Sequence, residues 1–506
     1  MRAVIIASVW LLVLSVTAPA SAAVPGQFIA KMYTEALGRA SDPGGWQYYV
    51  GYFNQNGCTQ PALKSAGKPF YLGAEYNNLG YDNVDKVLTA YRGVLRREPD
   101  AGGFNFWVNY LNQGNALTSL LDAMFDSGEF GGLVTAICAG DYGWGNTGAI
   151  SIPTTGAGFQ GGTAGQLQAV LNAAAPGSTV YLAQRGVVWA DTKVVIPNGV
   201  TLATTGLPDH TRYARQGRIV RTTLFGDTLV EVRPGAQLIS VWVSGQRPVV
   251  GFACCPPYTT NISVRSGFGA SVSYSRTDTP AGFSTLVLNG AEGEPGTTCS
   301  NVTISGNLSV GYGSNHFNGQ WADGISNKCE GATITGNQII DATDVGIVLF
   351  RATPATQQSQ VTSNTIVAAG LSAYAAISLD PLAGGPTANF SGSLVASNQL
   401  WTAPLTHFDI GIAVGTMPWF ANVGGVNGSG ANVQNNSTAN IITNFDSAMI
   451  IDGMINATVV YNDLPRNNVE VSACPTGGVL ADVAGGHASG ILQQWSQATA
   501  HSCIGH

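Results

Sequence analysis

Charged side chains are scarce in this chain: they make up 10% of its 506 residues, and the formal net charge is -7. A nucleic-acid surface needs a basic stripe, and an anionic lipid surface needs clustered Lys and Arg, so the composition excludes both partners. After the first apolar segment no run reaches about 18 apolar residues, so no transmembrane segment is expected. Hydrophobic residues still make up 45% of the chain, which predicts a folded protein.

Residues 1–22 have the pattern of a secretory signal peptide. Arg2 is the charged start, Val4 to Val16 is a short apolar run, and Ala20-Ser21-Ala22 is a small-residue cleavage site. We therefore expect a mature chain that begins near Ala23 and is secreted, extracellular or attached to the cell surface.

Eight cysteines fit an oxidising compartment, and none of their spacings is typical of a zinc site. Sequence alone does not fix their connectivity. Local pairing is the simplest arrangement, and for the vicinal Cys254-Cys255 the partner stays open. The predicted pairs are Cys58 with Cys138, Cys299 with Cys329, and Cys474 with Cys503.

A short phrase with a central Asn recurs through the second half of the chain at spacings of 30, 27 and 34 residues. Such a period is typical of stacked units that cannot bury their apolar face alone. Each Asn is predicted in a tight turn, where it tolerates left-handed backbone and bonds to its neighbours in the stack. The phrases are centred on Asn307, Asn337, Asn364 and Asn398.

Each of these units also carries a second short strand and no helix between strands, which excludes a βαβ sheet and favours a coil of a parallel β-helix. One aliphatic side chain per strand would then stack in an interior column. The fold class expected is mainly β, a right-handed parallel β-helix preceded by a small all-α domain. The column is predicted to contain Ile325, Ile347, Ile377 and Ile412.

Residues 27–140 have helical apolar spacing and an internal duplication at a spacing of 58. Tyr33, Arg39 and Asp42 match residues 91, 97 and 100, and each Asp-x-Gly-Gly is typical of a helix start. The shared pattern resembles a family of duplicated helical modules of unassigned function in secreted bacterial proteins. The resemblance implies an accessory role, in attachment to the cell envelope, a glycan or a partner. The aromatic residues of the pattern are alternatively the core of the helical domain.

Residues 141–163, rich in Gly, Thr and Ser, are predicted to be a linker. An amphipathic helix over 165–174, a Pro-Gly stop and the phrase Ile196-Pro197-Asn198-Gly199-Val200 resemble the opening of pectate-lyase-like right-handed β-helices, in which the helix caps the apolar column. The β-helix is expected over residues 164–473, and residues 474–506 are expected to be a C-terminal tail or cap.

Asp323 and Asp344 lie 21 residues apart, about one coil, and coils stack at about 4.8 Å. Two carboxylates in that range can cleave a glycosidic bond by acid and base catalysis. Strict alternation would put them on opposite faces unless a turn or bulge intervenes, and a structural role as backbone cap is the alternative.

The phrase Trp321-Ala322-Asp323-Gly324 followed by Asp341-Ala342-Thr343-Asp344 resembles the two motifs of polygalacturonase-type glycoside hydrolases. Trp321 and Val345 replace the family's Asn and second Asp, so the resemblance does not extend to galacturonan specificity. A closer resemblance, over residues 210–465, is to uncharacterised secreted β-helix proteins of bacteria and fungi, and it implies the fold without a reaction.

The sequence therefore predicts a secreted, monomeric, carbohydrate-active protein whose partner is an extracellular polysaccharide or a cell-envelope glycan. Hydrolysis without a cofactor is the leading hypothesis. The alternatives are a non-catalytic adhesion or glycan-binding β-helix and a polysaccharide lyase that uses Ca²⁺ held by Asp341 and Asp344. Candidate catalytic residues are Asp323, Asp344 and Asp341, and candidate substrate-binding residues are Trp321, Arg247, Arg351, His316 and Lys328.

Overall fold

The computed structural model describes residues 24–140, 142–143, 149–207, 211–253, 259–265, 267–288, 299–311, 320–351, 356–381, 388–415, 428–451, 454–464 and 469–471. The predicted signal peptide and C-terminal tail lie outside these residues, as do His316, Cys254, Cys255, Cys474 and Cys503. Among the helices of the described ranges, none has the length and apolar character that a bilayer span needs.

The helical region consists of eight helices whose starts are set by local chemistry. Asp42 and Asp100 each accept a hydrogen bond from the amide of the third residue that follows, and Asp82 forms a reciprocal capping box with Asp85. The helices are α1 Gly26–Leu37, α2 Pro43–Asn56, α3 Gln60–Leu72, α4 Ala74–Asn78, α5 Asn83–Val94, α6 Ala101–Asn112, α7 Leu117–Phe125 and α8 Gly128–Cys138.

The duplication predicted from the sequence is also a duplication of contacts. Arg39 lies 5.0 Å over the ring of Tyr33 and donates to Glu75 at 2.5 Å. In the second half, Arg97 lies 5.1 Å over the ring of Tyr91 and donates to the acid in the matching position, Glu129, also at 2.5 Å. The matching residues of the two halves therefore form the same cluster twice, each with an aromatic ring, a cation and a carboxylate.

The described residues from 159 onward form a right-handed parallel β-helix, as predicted. Among the described residues, the first sheet of the β-helix has 18 strands arranged in two rows. The long strand Thr179–Ala190 pairs with both rows and joins them. A second sheet has ten strands, and a third has three. The strands of the first sheet are β1 Phe159–Thr163, β2 Thr179–Ala190, β4 Thr201–Thr204, β5 Gly217–Arg221, β7 Gln237–Ile239, β8 Val241–Ser244, β10 Ser271–Ser273, β11 Arg276–Asp278, β13 Thr303–Ser305, β14 Leu308–Val310, β16 Thr333–Thr335, β17 Gln338–Ile340, β19 Gln360–Thr362, β20 Thr365–Ala368, β23 Leu394–Ala396, β24 Gln399–Thr402, β27 Asn432–Gln434 and β30 Thr458–Val460. Those of the second are β3 Val194–Ile196, β6 Val230–Val232, β9 Thr260–Val264, β12 Ser284–Leu288, β15 Asp323–Asn327, β18 Val345–Phe350, β21 Ala373–Asp380, β25 Phe408–Val414, β28 Phe445–Ile451 and β31 Val469–Val471, and those of the third are β22 Ala388–Asn389, β26 Gly428–Ser429 and β29 Met454–Ile455.

The interior column of the β-helix has the predicted register. Ile325 pairs with Ile347, which pairs with Ile377, which pairs with Ile412. All four side chains are buried in one apolar core. Helix α9, Ala164–Ala173, begins with a capping box and buries Leu167 and Leu171 in the same core, so it closes the first end of the column as the sequence indicated.

The recurrent Asn residues form a continuous hydrogen-bonded ladder inside the turns. Asn364 accepts from the backbone and side-chain amides of Asn337 and donates to Asn398. The ladder continues to Asn436 and Asn462, which the sequence pattern did not include. One detail of the prediction was wrong: the left-handed residue is the one before each Asn, such as Ser363 with a φ of 55°. The left-handed conformation of this residue directs the side chain of the following Asn along the stack of coils.

Two disulfides confirm the predicted local pairing. Cys58 and Cys138 join the two halves of the helical region, with Cα atoms 5.6 Å apart. Cys299 and Cys329 join neighbouring coils, with Cα atoms 4.8 Å apart.

The helical region packs directly on the β-helix. Trp242 and Trp401, which point outward from the first sheet, are buried in the same apolar core as α1 and α5. Buried ion pairs fix this contact, and breaking such a pair is typically strongly destabilising. Glu35 pairs with Arg276 at 2.6 Å, Glu98 with Arg218 at 2.9 Å, and Asp85 with Arg185 at 2.9 Å and with Arg215 at 2.6 Å.

The segment predicted as a linker is partly regular structure. Residues 159–163 form β1, which pairs with β2, and Thr155 pairs with Gln184. The side chains of Ile150 and Ile152 pack against the core shared by the helices and the sheet. The Gly and Thr residues of this stretch therefore lie at the edge of the first coil. They do not form a separate linker between the helical region and the β-helix.

Candidate functional site

Four polar side chains occupy equivalent positions on successive coils at the start of the second sheet. Val345, Ala375 and Ile410 are partners in register, and Ser447 follows Ile410 in the same line. Each of these register partners is directly preceded in the sequence by one of the four polar residues, which therefore form one row across the coils. We call it the acidic row: Asp344, Tyr374, Asp409 and Asp446. Stacked coils are about 4.8 Å apart, so neighbouring members of the row can act on one ligand.

His407 lies beside Asp409, at the Asp409 and Asp446 end of the acidic row. Its Nε2 is 3.1 Å from Asp409 Oδ1, and its Nδ1 lies 3.2 Å from Ser372 Oγ. The hydrogen bond and charge of Asp409 raise the pKa of His407, while partial burial opposes that shift. One atom each from His407, Asp409 and Asp446 lie within 4.8 Å of one another. The arrangement is a proton donor and two carboxylates in mutual reach.

Aromatic rings flank the acidic row. The rings of Trp321 and Tyr374 meet edge to face, with centroids 6.0 Å apart. Burial raises the pKa of Tyr374, and the charges of Asp344 and Asp409, its neighbours in the acidic row, raise it further. Trp321 and Tyr374 are both partly exposed, so this end of the sheet offers apolar ring faces next to acids.

Asp323 is held by the neighbouring coil. Its carboxylate accepts from the amide of Val345 at 3.0 Å and from Ser326 Oγ at 2.6 Å, and the side chain is buried. In register it lies beside Val345, one position along from Asp344. Asp323 and Asp344 therefore belong to adjacent lines of the stack, as the alternation problem in the sequence suggested, and their role as a catalytic pair stays a prediction.

Asp341 lies apart from the acidic row, beneath the helical region. Its Oδ1 accepts from the amides of Ala369, Gly370 and Leu371 at 2.6, 2.9 and 3.3 Å, and its Oδ2 accepts from Gln27 Nε2 at 3.0 Å. The side chain has no exposed surface. Four donors and complete burial are typical of a structural cap, and they do not fit a calcium ligand, since its oxygens are already engaged.

The other predicted binding residues have partners of their own. Arg247 is buried, donates to the carbonyl of Gln320 and lies 4.2 Å over the ring of Phe252, and burial lowers its pKa to about 10. Lys328 is buried with its Nζ 5.9 Å from the centroid of the Phe350 ring. Burial lowers the pKa of Arg351, with Asp380 opposing the shift. Their substrate-binding roles stay predictions.

Sequence reasoning missed His407, Asp409 and Asp446. A signal was present: Asp409-Ile410-Gly411-Ile412 repeats the form of Asp344-Val345-Gly346-Ile347, with an acid at the same point before the strand. Recognising that repeated acid would have extended the candidate site from one coil to the next ones.

Comparison with known proteins gives a family match for the helical region only. Residues 69–134 match the family described as "Domain of unknown function (DUF4214)", which agrees with the predicted module of unassigned function. No curated protein matches the chain.

Solved structures share the general course of the β-helix at low identity. The endo-xylogalacturonan hydrolase from Aspergillus tubingensis is 11% identical, with a TM-score of 0.42 and coverage of 64% of this chain and 95% of that one. The alginate lyase from Paenibacillus sp. str. FPU-7 is 12% identical, with a TM-score of 0.35 and coverage of 64% and 99%. The mannuronan C-5 epimerase A-module from Azotobacter vinelandii is 13% identical, with a TM-score of 0.37 and coverage of 64% and 87%. Similarity at this level assigns no reaction to the chain.

Proposed function

We propose that this protein is a secreted carbohydrate-active enzyme that hydrolyses glycosidic bonds of a polysaccharide at the acidic row. The observation that carries the proposal is the placement of His407, Asp409 and Asp446 within 4.8 Å of one another, beside the ring of Tyr374. The disulfides support a place of action outside the cytoplasm, because such bridges persist in oxidising compartments.

The chemistry needs one carboxyl group that is protonated and a second that is ionised. One carboxyl group donates its proton to the leaving oxygen. The other then attacks the sugar or activates water. Asp409 is oriented by its hydrogen bond to His407, so we assign it the second role and assign the acid role to Asp446, the other carboxyl group of the cluster.

Substrate would lie across the coils of the second sheet. Sugar rings present apolar faces that pack on aromatic side chains, and Trp321 and Tyr374 supply such faces next to the acids. Asp344, at the next position of the row beyond Tyr374, would contact a neighbouring sugar unit. Asp323 would position the coil by holding the Val345 amide.

The test is a screen of the purified protein against neutral and acidic polysaccharides, followed by turnover of four variants. Asp409→Asn and Asp446→Asn should each lower turnover by at least about 10²-fold, the usual scale for loss of an acid or base, with little change in melting temperature. Asp323→Asn should lower the melting temperature more than the turnover per folded molecule. Asp463→Asn, an exposed acid away from the row, is the matched control and should leave both unchanged.

Full turnover in Asp409→Asn and Asp446→Asn would contradict the assignment. If Asp323→Asn and Asp344→Asn abolished turnover instead, the catalytic pair would be the one first predicted from the sequence. If no polysaccharide in the screen is cleaved, the alternative of a β-helix that binds glycan without cleaving it would be favoured.

A metal-assisted lyase is the second candidate, because His407, Asp409 and Asp446 offer one nitrogen and two carboxylate ligands in mutual reach. An imidazole with carboxylates suits a transition metal better than Ca²⁺, which prefers six to eight oxygens. Activity that is lost in a chelator and restored by a divalent ion, with unsaturated products detected by ultraviolet absorbance, would favour elimination over hydrolysis.

A further inference from the structure

The two halves of the helical region expose the same aromatic face. Tyr48 on α2 and Phe106 on α6, which are 58 residues apart, are 66% and 60% exposed. Clusters of exposed apolar surface are uncommon on soluble proteins and tend to mark interaction sites. Because this aromatic face occurs twice, at the spacing of the duplication, it is a repeated feature of the module.

The neighbouring rings are arranged alike in both halves. In α2, Tyr48 meets Tyr49 edge to face with centroids 5.0 Å apart, and Tyr52 follows one turn later. In α6, Phe106 meets Trp107 edge to face, also at 5.0 Å, and Tyr110 follows one turn later, with its ring near parallel to that of Phe106. Positions four apart share one side of a helix. We call these two surfaces the first and second aromatic patches.

The core of the module accounts in part for Tyr52, Trp107 and Tyr110, which pack against it, but it does not account for Tyr48 and Phe106. Trp46 and Phe104, the inward counterparts on the same two helices, are buried and fill the interior. Tyr48 and Phe106 stand on the opposite side, and their exposure makes them costly to keep in water without a partner. The module contacts the β-helix mainly through α1 and α5, and α2 adds Trp46 and Gln47 to that contact.

The two helices that carry the aromatic patches have no charged side chain between their capping residues, Asp42 and Asp100, and their ends. Neither α2 (PGGWQYYVGYFNQN) nor α6 (AGGFNFWVNYLN) contains an acidic or basic residue. Exposed amides surround the rings instead, and an Asn or Gln side chain both donates and accepts hydrogen bonds. These exposed amides include Asn54, Gln55, Asn105 and Asn109.

We propose that each half of the helical region binds a neutral polysaccharide, with sugar ring faces packed on Tyr48 and Tyr52 in the first aromatic patch and on Phe106 and Tyr110 in the second. The absence of charge matches a partner without charge, and aromatic faces with flanking amides match its apolar ring faces and hydroxyl groups. Two equivalent patches give two-point attachment, which raises the apparent affinity for a polymer above that for a single chain segment. The binding is separate from cleavage at the acidic row.

The experiment is a depletion assay with the full chain on amorphous cellulose, chitin and insoluble xylan, with alginate and polygalacturonate beads as acidic polymers. We expect retention on at least one neutral polymer and less on the acidic ones. Tyr48→Ala/Tyr52→Ala and Phe106→Ala/Tyr110→Ala should each lower apparent affinity by at least about 10-fold, because two-point attachment is lost, and the fourfold variant should abolish retention. Tyr48→Ala and Phe106→Ala alone should leave the melting temperature unchanged, since both rings are exposed. These single variants separate loss of retention from any loss of stability caused by removing Tyr52 and Tyr110, which pack against the core.

Tyr181→Ala is the matched control, because Tyr181 is an exposed ring on the β-helix and its loss should leave retention unchanged. Asp409→Asn separates this proposal from the proposed function, since it should stop cleavage and leave retention intact. Retention by the fourfold variant equal to that of the native chain would overturn the proposal, as would retention on none of the neutral polymers. Self-association that disappears in the fourfold variant, without glycan retention, would assign the patches to contacts between copies and would also overturn it.

Discussion

Replacement of Asn364 by Ala should destabilise the β-helix more than any exposed substitution. The side chain is buried and takes part in four hydrogen bonds. Its Oδ1 accepts from the backbone amide of Asn337 at 2.9 Å and from Asn337 Nδ2 at 3.0 Å. Its Nδ2 donates to the carbonyl of Ile334 at 3.0 Å and to Asn398 Oδ1 at 2.9 Å.

The magnitude follows from what Ala leaves behind. Its backbone N–H still donates to Asn398 Oδ1, but the buried amide of Asn337 loses its acceptor. Each lost hydrogen bond is worth about 1 kcal/mol net, and a stranded buried donor adds about 1–3 kcal/mol. With four lost hydrogen bonds and one stranded donor, we expect the free energy of unfolding to fall by about 5–7 kcal/mol.

The assay is equilibrium unfolding in urea, followed by tryptophan fluorescence and circular dichroism. Asn54→Ala, at an exposed position of α2, is the control and should change stability by less than about 0.5 kcal/mol. Hydrogen exchange gives a local readout, because the Asn337 amide should exchange faster in Asn364→Ala. A loss below about 1 kcal/mol, with unchanged protection of that amide, would refute the idea that the ladder stabilises the stack.

The remaining predictions concern the contact between domains and the disulfide. Burial alone would raise the pKa of Glu35, but Arg276 and Lys31 hold it at about 2, so stability should fall as the pH drops from about 4.5 to about 2, and Glu35→Gln should flatten that part of the profile. Burial lowers the pKa of Lys31 to about 8. Between about pH 8 and pH 10.5 the unfolded chain therefore binds one more proton than the folded chain, so stability should rise with pH over this range. Lys31→Met should remove this rise in the same melting series. Replacing both Cys299 and Cys329 by Ala opens a loop that spans 30 residues and should cost about 3–4 kcal/mol in urea unfolding; an unchanged midpoint would mean that the coils hold their spacing without the bridge.

The repeat made the solenoid predictable from the sequence. Ile325, Ile347, Ile377 and Ile412 recur because each coil must bury one aliphatic side chain at the same point, and a period of about 30 residues records that need in the sequence. The ladder Asn residues recur because each completes the hydrogen bonds of the one before. Asn436 and Asn462 escaped the pattern because the residues before them, Asn435 and Tyr461, differ from the Gly or Ser found at the earlier turns.

No repeated sequence pattern predicted how the helical region packs on the β-helix. Glu35 and Arg276 are 241 positions apart, and neither stands in a repeated phrase, so nothing local links them. Their complementarity is visible only once the fold brings α1 against the first sheet. The same limit applied to His407, whose proposed role depends on Asp409, two positions later, and on Asp446, one coil later.

The site was predictable in kind and less so in position. Paired Asp residues on adjacent coils were expected, and the acidic row has that form. The sequence, however, pointed to Asp323 with Asp344, and to Asp341. Of these, Asp344 belongs to the acidic row, whereas Asp323 and Asp341 accept backbone hydrogen bonds. An Asp that caps a turn and an Asp that faces solvent look alike in a sequence, because the difference lies in which donors the neighbouring coil presents.

The helical region covers one face of the β-helix. Outward side chains of the first sheet, among them Trp242, Leu308, Ile340 and Trp401, are buried against α1 and α5. Left uncovered, these apolar rows would form an aggregation surface on the β-helix. The helices therefore serve as a cover that the fold requires, and buried ion pairs such as Glu35 with Arg276 orient that cover. The cover occupies the first sheet, whereas the acidic row, the proposed substrate site, lies on the second sheet.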